Sequence, residues 1–585
     1  MKKDRNILPT WDLEAIYPAP DAWEKDFAKL KGLAEAFAAY RGKLGGSAKT
    51  LAAAMAADDK FSRLAEKVYV YAHLRADENT GDSPARARLD RIKAAFAELS
   101  PLSAWFMPEL AALPEKTIAK YLKAPELADR KRVLEEIVRA RPHVLSEAEE
   151  KVIGLYSDVT HAADNTFSLL NDADLTFGKV GGRELTHANY HAFLENADRK
   201  IRRTAFRQMH GAYGKFRNTF ASTLGATVKR HVVSARLRGY SSALGAALFD
   251  DNIPESVYTG LIDAVHAGLD PLHRYLAIRR RALNLRKLDM FDLYNPLQPA
   301  CRREYAWDDA VELVRGAIKP LGAEYGKIWQ KAFDERWIDA PPRKGKRSGA
   351  YSSGCFDTRP YILLSFDGTL NDVFTLAHEG GHSMHSYFSN RTQPYQYADY
   401  SIFAAEIAST TNEILLFEHL MASSDDEELK TYLLCHLADE IRATIYRQTM
   451  FAEFELQIHR SEEAGQPLTA DLLDREYEKL NRTYYGIDGD KLIRHEWARI
   501  PHFYYNFYVY KYATGMSAAI RLATGLLHGG KAEQTAYLGF LKAGSSRDVL
   551  DIMRSAGVDL STSEPVDAAL GYFATVIDRL EKRIG

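Results

Sequence analysis

Apolar residues recur at three- and four-residue intervals over long stretches of the chain, which is the period of an amphipathic helix. Ala-rich patterns of this kind run through 21–41, 47–76, 84–111 and 128–140. Ser146-x-x-Glu149 reads as a capping box opening a further helix that continues to about Ala163. The period changes near 174–187. Leu175, Phe177 and Val180 precede Gly181-Gly182, and Leu185 follows, which predicts a short hairpin turning on the two glycines and a boundary between lobes nearby. Asn252-Ile-Pro254 starts the next helix, with Pro254 in its first turn. Pro341, Pro342, Gly345, Gly349 and Gly354 break the stretch 338–354, with Arg343, Lys344, Lys346 and Arg347 between them. It reads as a flexible basic loop, or as a mobile lip that helps place a peptide. Pro360–Phe366 is β-prone and ends at Asp367-Gly368. The pattern therefore predicts a mostly α chain with a small β element.

That β element leads directly into Thr375-Leu-Ala-His378-Glu379-Gly-Gly-His382-Ser-Met-His385, which contains H-E-x-x-H. Apolar Val373, Phe374 and Leu376, and a capping box at Thr369-x-x-Asp372, place the motif on a helix. There His378 and His382 lie about 6 Å apart along the axis and about 40° apart around it, so both imidazoles can meet one Zn²⁺. Glu379, rotated about 100° from His378, flanks the same side and stays free to act on water near the ion. Gly380 and Gly381 each disfavour a helix interior by roughly 1 kcal/mol relative to Ala. They imply close approach of another backbone, either the strand at 360–366 or a bound ligand.

A zinc site needs a third protein ligand. A His ten residues after His378 would extend the motif, but that position is Phe388. His385 lies about 4.5 Å further along the axis than His382, too far for the same ion on a straight helix, so a supporting role fits it better. Glu406 is the better candidate. It sits in a helical pattern, Ser401 to Leu416, among Ile402, Phe403, Ile407, Ile414 and Leu415, where a buried carboxylate needs a partner. Glu413, seven residues on and on the same face, would orient a ligand histidine through its other ring nitrogen. Further along, Pro501–Gly515 is dense in aromatics. Read as one helix, it puts His502, Tyr505, Tyr508 and Tyr512 on one face and Phe503, Phe507 and Tyr510 on the other. The first set can aim donors at a developing oxyanion.

Composition narrows the class without adding chemistry. The chain has 585 residues, too many for one core, with 46% hydrophobic and 27% charged residues and a formal net charge of −2. Near-neutral charge gives no pull towards nucleic acid or acidic membranes. A basic run, Arg199 to Arg238, reads as a solvated helix face rather than a nucleic-acid surface. Cys301, Cys355 and Cys435 are too few and too scattered for a disulfide framework and fit a reducing compartment. Cys355 is a candidate for thiol sensitivity. No secretory h-region and no apolar run of about 18 residues is present, so the expectation is a cytoplasmic protein off the membrane.

Three site stretches carry a resemblance: His378-Glu379-Gly-Gly-His382-Ser-Met-His385, Phe403-Ala-Ala-Glu406-Ile-Ala-Ser, and Pro501-His502 through Tyr508, Tyr512 and Gly515. With Trp11-Asp-Leu-Glu-Ala-Ile-Tyr17, Ala235-Arg-Leu-Arg-Gly-Tyr240 and Ala556-Gly557-Val-Asp559, they resemble the oligoendopeptidase F branch of the thimet-oligopeptidase-like zinc peptidases. The resemblance implies a mostly α, two-lobed helical shell around a deep channel, and cleavage of short peptides. It implies one Zn²⁺ per chain on His378, His382 and Glu406, with Glu379 as general base. It gives His502, Tyr505 and Tyr512 the transition-state role, with Tyr508 and Tyr510 alternative in register. An N-terminal helical domain over 1–200 and a catalytic domain over 201–585 are expected. Gly349, Ala350 and Tyr351, with the free edge of the 360–366 strand, are expected to align the peptide backbone. Two rival readings use the same residues: a zinc carboxypeptidase or dipeptidase, and a helical peptide-binding scaffold without turnover.

Overall fold

A computed structural model describes residues 8–299 and 303–584. It is mostly helical, with one two-stranded and one three-stranded sheet among the described residues. The chain forms two compact units, each assembled from separated segments. The first comprises Met1–Val144, Arg302–Ala422 and Leu522–Gly557, and the second Leu145–Cys301, Ser423–Arg521 and Val558–Gly585. The first crossing thus falls at 144/145, before the helix Glu147–Thr160, and not near the hairpin or at residue 200. Sequence pattern reports local period only, whereas helices far apart in sequence supply each unit's core.

In the first unit the long helix Ala48–Glu78 is capped by Ser47, whose side chain accepts from the Thr50 N–H. Its apolar face, with Val68, Tyr71 and Leu74, packs on Trp11, Leu13, Trp23, Leu89 and Ile92. Trp23 Nε1 donates to the Val68 carbonyl at 2.9 Å, so the buried indole keeps a partner. Tyr361 and Leu363 join this core from the three-stranded sheet. In that sheet Tyr361–Leu363 is the central strand, parallel to Ile338–Asp339 and antiparallel to Tyr351–Ser353. The sequence reading gave the 360–366 strand a free edge. Both its edges are taken, and Ile338–Asp339 and Tyr351–Ser353 are the edge strands among the described residues.

The basic loop before the edge strand is tied down. Arg343 forms a bidentate pair with Asp339 at 2.9 and 2.6 Å. Lys346, almost fully buried, donates to the carbonyls of Asp339, Pro341 and Leu364 at 3.0, 3.0 and 2.6 Å. Its cations fasten the loop to the sheet, a role that a count of charges and breakers does not reveal.

In the second unit, Lys179–Val180 and Arg183–Glu184 pair antiparallel around Gly181 and Gly182, both at positive φ, as the pattern predicted. The basic run over 198–238 is in part the solvated face expected, with Lys200, Arg203, Arg207, Lys229 and Arg236 exposed, and in part a set of ion pairs. Arg199 and Arg202 pair with buried Asp292, Arg207 with Asp490, Arg217 with Asp474, Arg230 with Asp164 and Arg238 with Glu150. Six of its arginines are thus paired with carboxylates of the same unit. Among the described residues, no helix is long and apolar enough to cross a membrane. Cys301 lies outside the described residues, and Cys355 and Cys435 are free thiols. Burial pushes the Cys355 thiol up to about 11, which disfavours the reactive thiolate.

Candidate metal centre

Two helices of the first unit build the centre. Leu370–Thr392 opens on the expected capping box, in which the Thr369 side chain accepts from the Asp372 N–H and Asp372 reaches back to the Thr369 N–H. Ile402–Ser423 carries Glu406 and Glu413. Phe403, Ile407, Ile414 and Leu415 are buried on its apolar side. Asn412 ties the two helices together, donating from Nδ2 to the Ala377 carbonyl at 3.0 Å.

The glycines explain how closely the helices approach. A Cβ on Gly381 would stand 2.6 Å from Ser409 Cα and 2.8 Å from the Ala408 carbonyl oxygen. A Cβ on Gly380 would overlap the Trp329 ring. The close backbone at Gly381 is therefore the Glu406 helix, and the neighbour at Gly380 is an indole. Neither is the 360–366 strand or a ligand, as the sequence reading had it. The partner lies across a tertiary crossing that local sequence does not encode.

Three donor atoms converge. His378 Nε2 and His382 Nε2 are 3.2 Å apart, and Glu406 Oε2 lies 3.6 Å from the first and 3.8 Å from the second. Tetrahedral bonds of about 2.0–2.1 Å would set donors about 3.3 Å apart, so the triangle fits one ion with small adjustments. Two nitrogens and a carboxylate oxygen suit Zn²⁺ and neighbouring divalent transition ions. This is the one such group of three among the described residues. The Glu406 side chain is 53% exposed and faces the cavity, so burial is not what demands a partner for it. The clustering of two imidazoles with it does.

Hydrogen bonds set the imidazoles for this role. His378 Nδ1 lies 3.0 Å from Glu413 Oε1 and donates to it, which leaves Nε2 as the nitrogen that ligates an ion once an ion displaces its proton. The His382 ring donates to the Ala405 carbonyl. Burial alone would lower His378. The bond and charge of Glu413, with Glu379 and Glu406, reverse this and push it up to about 9. Burial and the His378 charge bring His382 down to about 4. Glu379 is 7% exposed. Burial raises its carboxyl to about 7 against the pull of His378, while the charges of Glu406 and Glu413 raise it and the Ser352 N–H lowers it. His385 is not a ligand. It is buried, stacked on Tyr400 at 3.7 Å and packed on Phe540 at 4.9 Å.

A cavity of about 430 Å³ opens over this group, walled by Ala350, Tyr351, Ser352, Ser386, Tyr400 and Ala405. Gly349 adjoins this wall at φ +87°. The sequence reading missed Ser352 and Tyr400. Ser352 Oγ lies 2.8 Å from Ser383 Oγ on the metal-ligand helix, and Tyr400 OH lies 2.7 Å from Ser386 Oγ. No motif marks either residue. Ser352 is recoverable only as the neighbour of Tyr351.

The second unit gathers the other predicted group, by a different backbone. Pro501–Tyr504 is a 3₁₀ turn, Asn506 and Phe507 take φ of 49° and 59°, and an α-helix starts at Tyr510. The single helix read from sequence is interrupted. Glu455 accounts for the interruption, because its fully buried Oε1 accepts from the Phe507 N–H at 2.6 Å. Phe503, Phe507 and Tyr510 are buried as expected. His502 still meets all three tyrosines: ring centroids lie 5.7 Å from Tyr505, 6.4 Å from Tyr508 and 5.9 Å from Tyr512. Tyr512 OH is 3.5 Å from His502 Nε2, and Tyr505 is 59% exposed.

The chain is similar in sequence to known peptidases along nearly its whole length. Residues 192–572 match Peptidase family M3, and residues 109–177 match Oligopeptidase F. Oligopeptidase PepF of Bacillus subtilis is 42% identical over 98% of this chain and 87% of its own length. The plasmid-borne oligoendopeptidase F of Lactococcus lactis subsp. cremoris is 38% identical over 100% and 99%. The crystal structure of oligoendopeptidase-F from Enterococcus faecium is 36% identical, covers 96% of this chain and 99% of its own, and superposes with a TM-score of 0.73. A crystal structure from Chlamydophila abortus is 38% identical, covers 98% of both chains and reaches a TM-score of 0.94. The mostly helical fold, the H-E-x-x-H helix and these full-length matches together make the chain a member of Peptidase family M3, and a peptidase.

Proposed function

We propose that the protein is a zinc-dependent endopeptidase that hydrolyses internal bonds of short peptides. The observation that carries this is the convergence of His378, His382 and Glu406, with Glu413 fixing the His378 tautomer. When bound there, Zn²⁺ supplies Lewis-acid polarisation of a carbonyl and a water that is acidic near neutral pH. Glu379 supplies the proton transfers. Buried next to the ligands and held near neutrality, its carboxylate takes a proton from the attacking water and returns it to the leaving amine. The edge strand Tyr351–Ser353, with Ala350 and Gly349 before it, aligns the peptide backbone by strand addition. His502, Tyr505, Tyr508 and Tyr512 carry the family's transition-state role, donating to the developing oxyanion. The sparse cysteines, with Cys355 and Cys435 free thiols, support a reducing, cytoplasmic setting.

Mass spectrometry of a peptide library blocked at both ends, digested by the wild type and by Glu379→Gln, tests this. Internal cleavage by the wild type alone is expected. A blocked library left intact, with end trimming of the same peptides when unblocked, would favour an exopeptidase. Metal-loaded wild type that binds peptides but cleaves no more than Glu379→Gln would favour a scaffold.

A further inference from the structure

The helix Ala48–Glu78 carries a polar stripe that meets residues of the 351–357 segment and Tyr395. Arg63 pairs with Asp357, Tyr395 donates to Glu66, and His73 and Asp77 continue the stripe at helical spacing. Asp77, 3% exposed, is the anchor. Its Oδ2 accepts from Tyr351 OH at 2.9 Å, and its carbonyl accepts from the Arg347 N–H at 3.0 Å. One turn earlier, the His73 ring lies 5.6 Å from the Tyr351 ring at 28° and 5.7 Å from the Tyr69 ring at 7°. Tyr69, His73 and Tyr351 form a row of three stacked rings, each only partly buried.

This row borders the edge strand. Ser352 turns its side chain towards the metal-ligand helix, so Tyr351 and Ser353 present theirs on the opposite face, the one towards Ala48–Glu78. A peptide strand added at this edge sends alternate side chains to that same face. We infer that Tyr69, His73 and Tyr351 form a specificity subsite for an aromatic or large apolar side chain of the peptide, with Asp77 as the positioning residue that holds Tyr351. The inference rests on the peptidase reading above and deepens it by naming a substrate class. Three rings offer dispersion and stacking area and no full charge. Burial lowers the His73 imidazole below its usual range despite the Asp77 carboxylate, which keeps the row neutral near pH 7. The competing feature is Arg347, whose side chain is 56% exposed and which would instead favour an acidic side chain.

Binding to the Glu379→Gln variant tests the subsite without turnover. Peptides blocked at both ends, identical except for Phe, Glu or Ala at each successive position, are titrated by calorimetry. At one position Phe is expected to bind about three- to tenfold more tightly than Ala, as one added aromatic contact allows. His73→Ala in the same background should abolish that ratio, and His73→Phe should restore it. Asp77→Asn should reduce it while leaving the ratios at other positions as they were. A Phe:Ala ratio near one at every position, a preference for Glu, or a ratio unmoved by His73→Ala overturns the inference. Absence of hydrolysis by the wild type would instead count against the peptidase reading, because the binding ratio is read independently of turnover.

Discussion

Gly381 and Ser409 mark the point where the two ligand-bearing helices touch, with an added Cβ only 2.6 Å from Ser409 Cα. Gly381→Ala must push the Glu406 helix away from His378 and His382. Overpacking of this kind disfavours folding by about 1–3 kcal/mol. Lower thermal stability and weaker metal retention are expected together, measured by calorimetry and by chelator competition. A variant that loses stability but keeps wild-type metal affinity would separate the glycine from the centre.

Glu413 holds His378 without being placed to bind the ion, since it meets Nδ1 and not the converging Nε2. Glu413→Gln should weaken metal affinity by about 10- to 100-fold, in the range for partners that orient a ligand imidazole. Competition with a chromophoric chelator gives the number directly.

Tyr512→Phe removes a hydroxyl from the group around His502 and keeps the ring. With an oxyanion role, kcat should fall about a hundredfold with KM little changed. A raised KM with kcat unchanged would instead assign the hydroxyl to ground-state binding.

Glu455 gives a pH signature far in sequence from the metal ligands. Burial raises its carboxyl from 4.5 to about 8, against the pull of the Phe507 N–H. Between these values the unfolded chain has released a proton that the folded chain keeps, so this group's contribution to stability declines as pH rises from about 4.5 to about 8. Glu455→Gln keeps the acceptor for Phe507 and removes the titration. The variant should therefore gain on the wild type as pH is raised through this window, followed by melting temperature. Parallel curves would contradict the assignment.

Much of the centre was legible because its chemistry is local. The capping box at Thr369, the spacing of His378 and His382, and the seven-residue step from Glu406 to Glu413 are all properties of single helices. What was not legible depends on partners distant in sequence. The turn at Asn506 and Phe507 is stabilised from Glu455, so reading 501–515 as one helix put His502 and the tyrosines on a backbone the fold does not use. Gly380 and Gly381 signalled close approach, but Trp329 and Ser409 could be named only from the fold. In sequence, 47–76 shows only an Ala-rich amphipathic pattern. His73 and Asp77 acquire a role only where Tyr351 is brought beside them.

The proposed function requires Glu379 to transfer protons beside an ion held by His378, His382 and Glu406. Its most direct test is turnover of an internally quenched peptide blocked at both ends, with metal content measured on the same samples. The wild type should cleave internally, and Glu379→Gln should hold the same metal, about one ion per chain, while kcat falls about 10²- to 10⁴-fold. Retained turnover in Glu379→Gln at full metal occupancy would contradict the account.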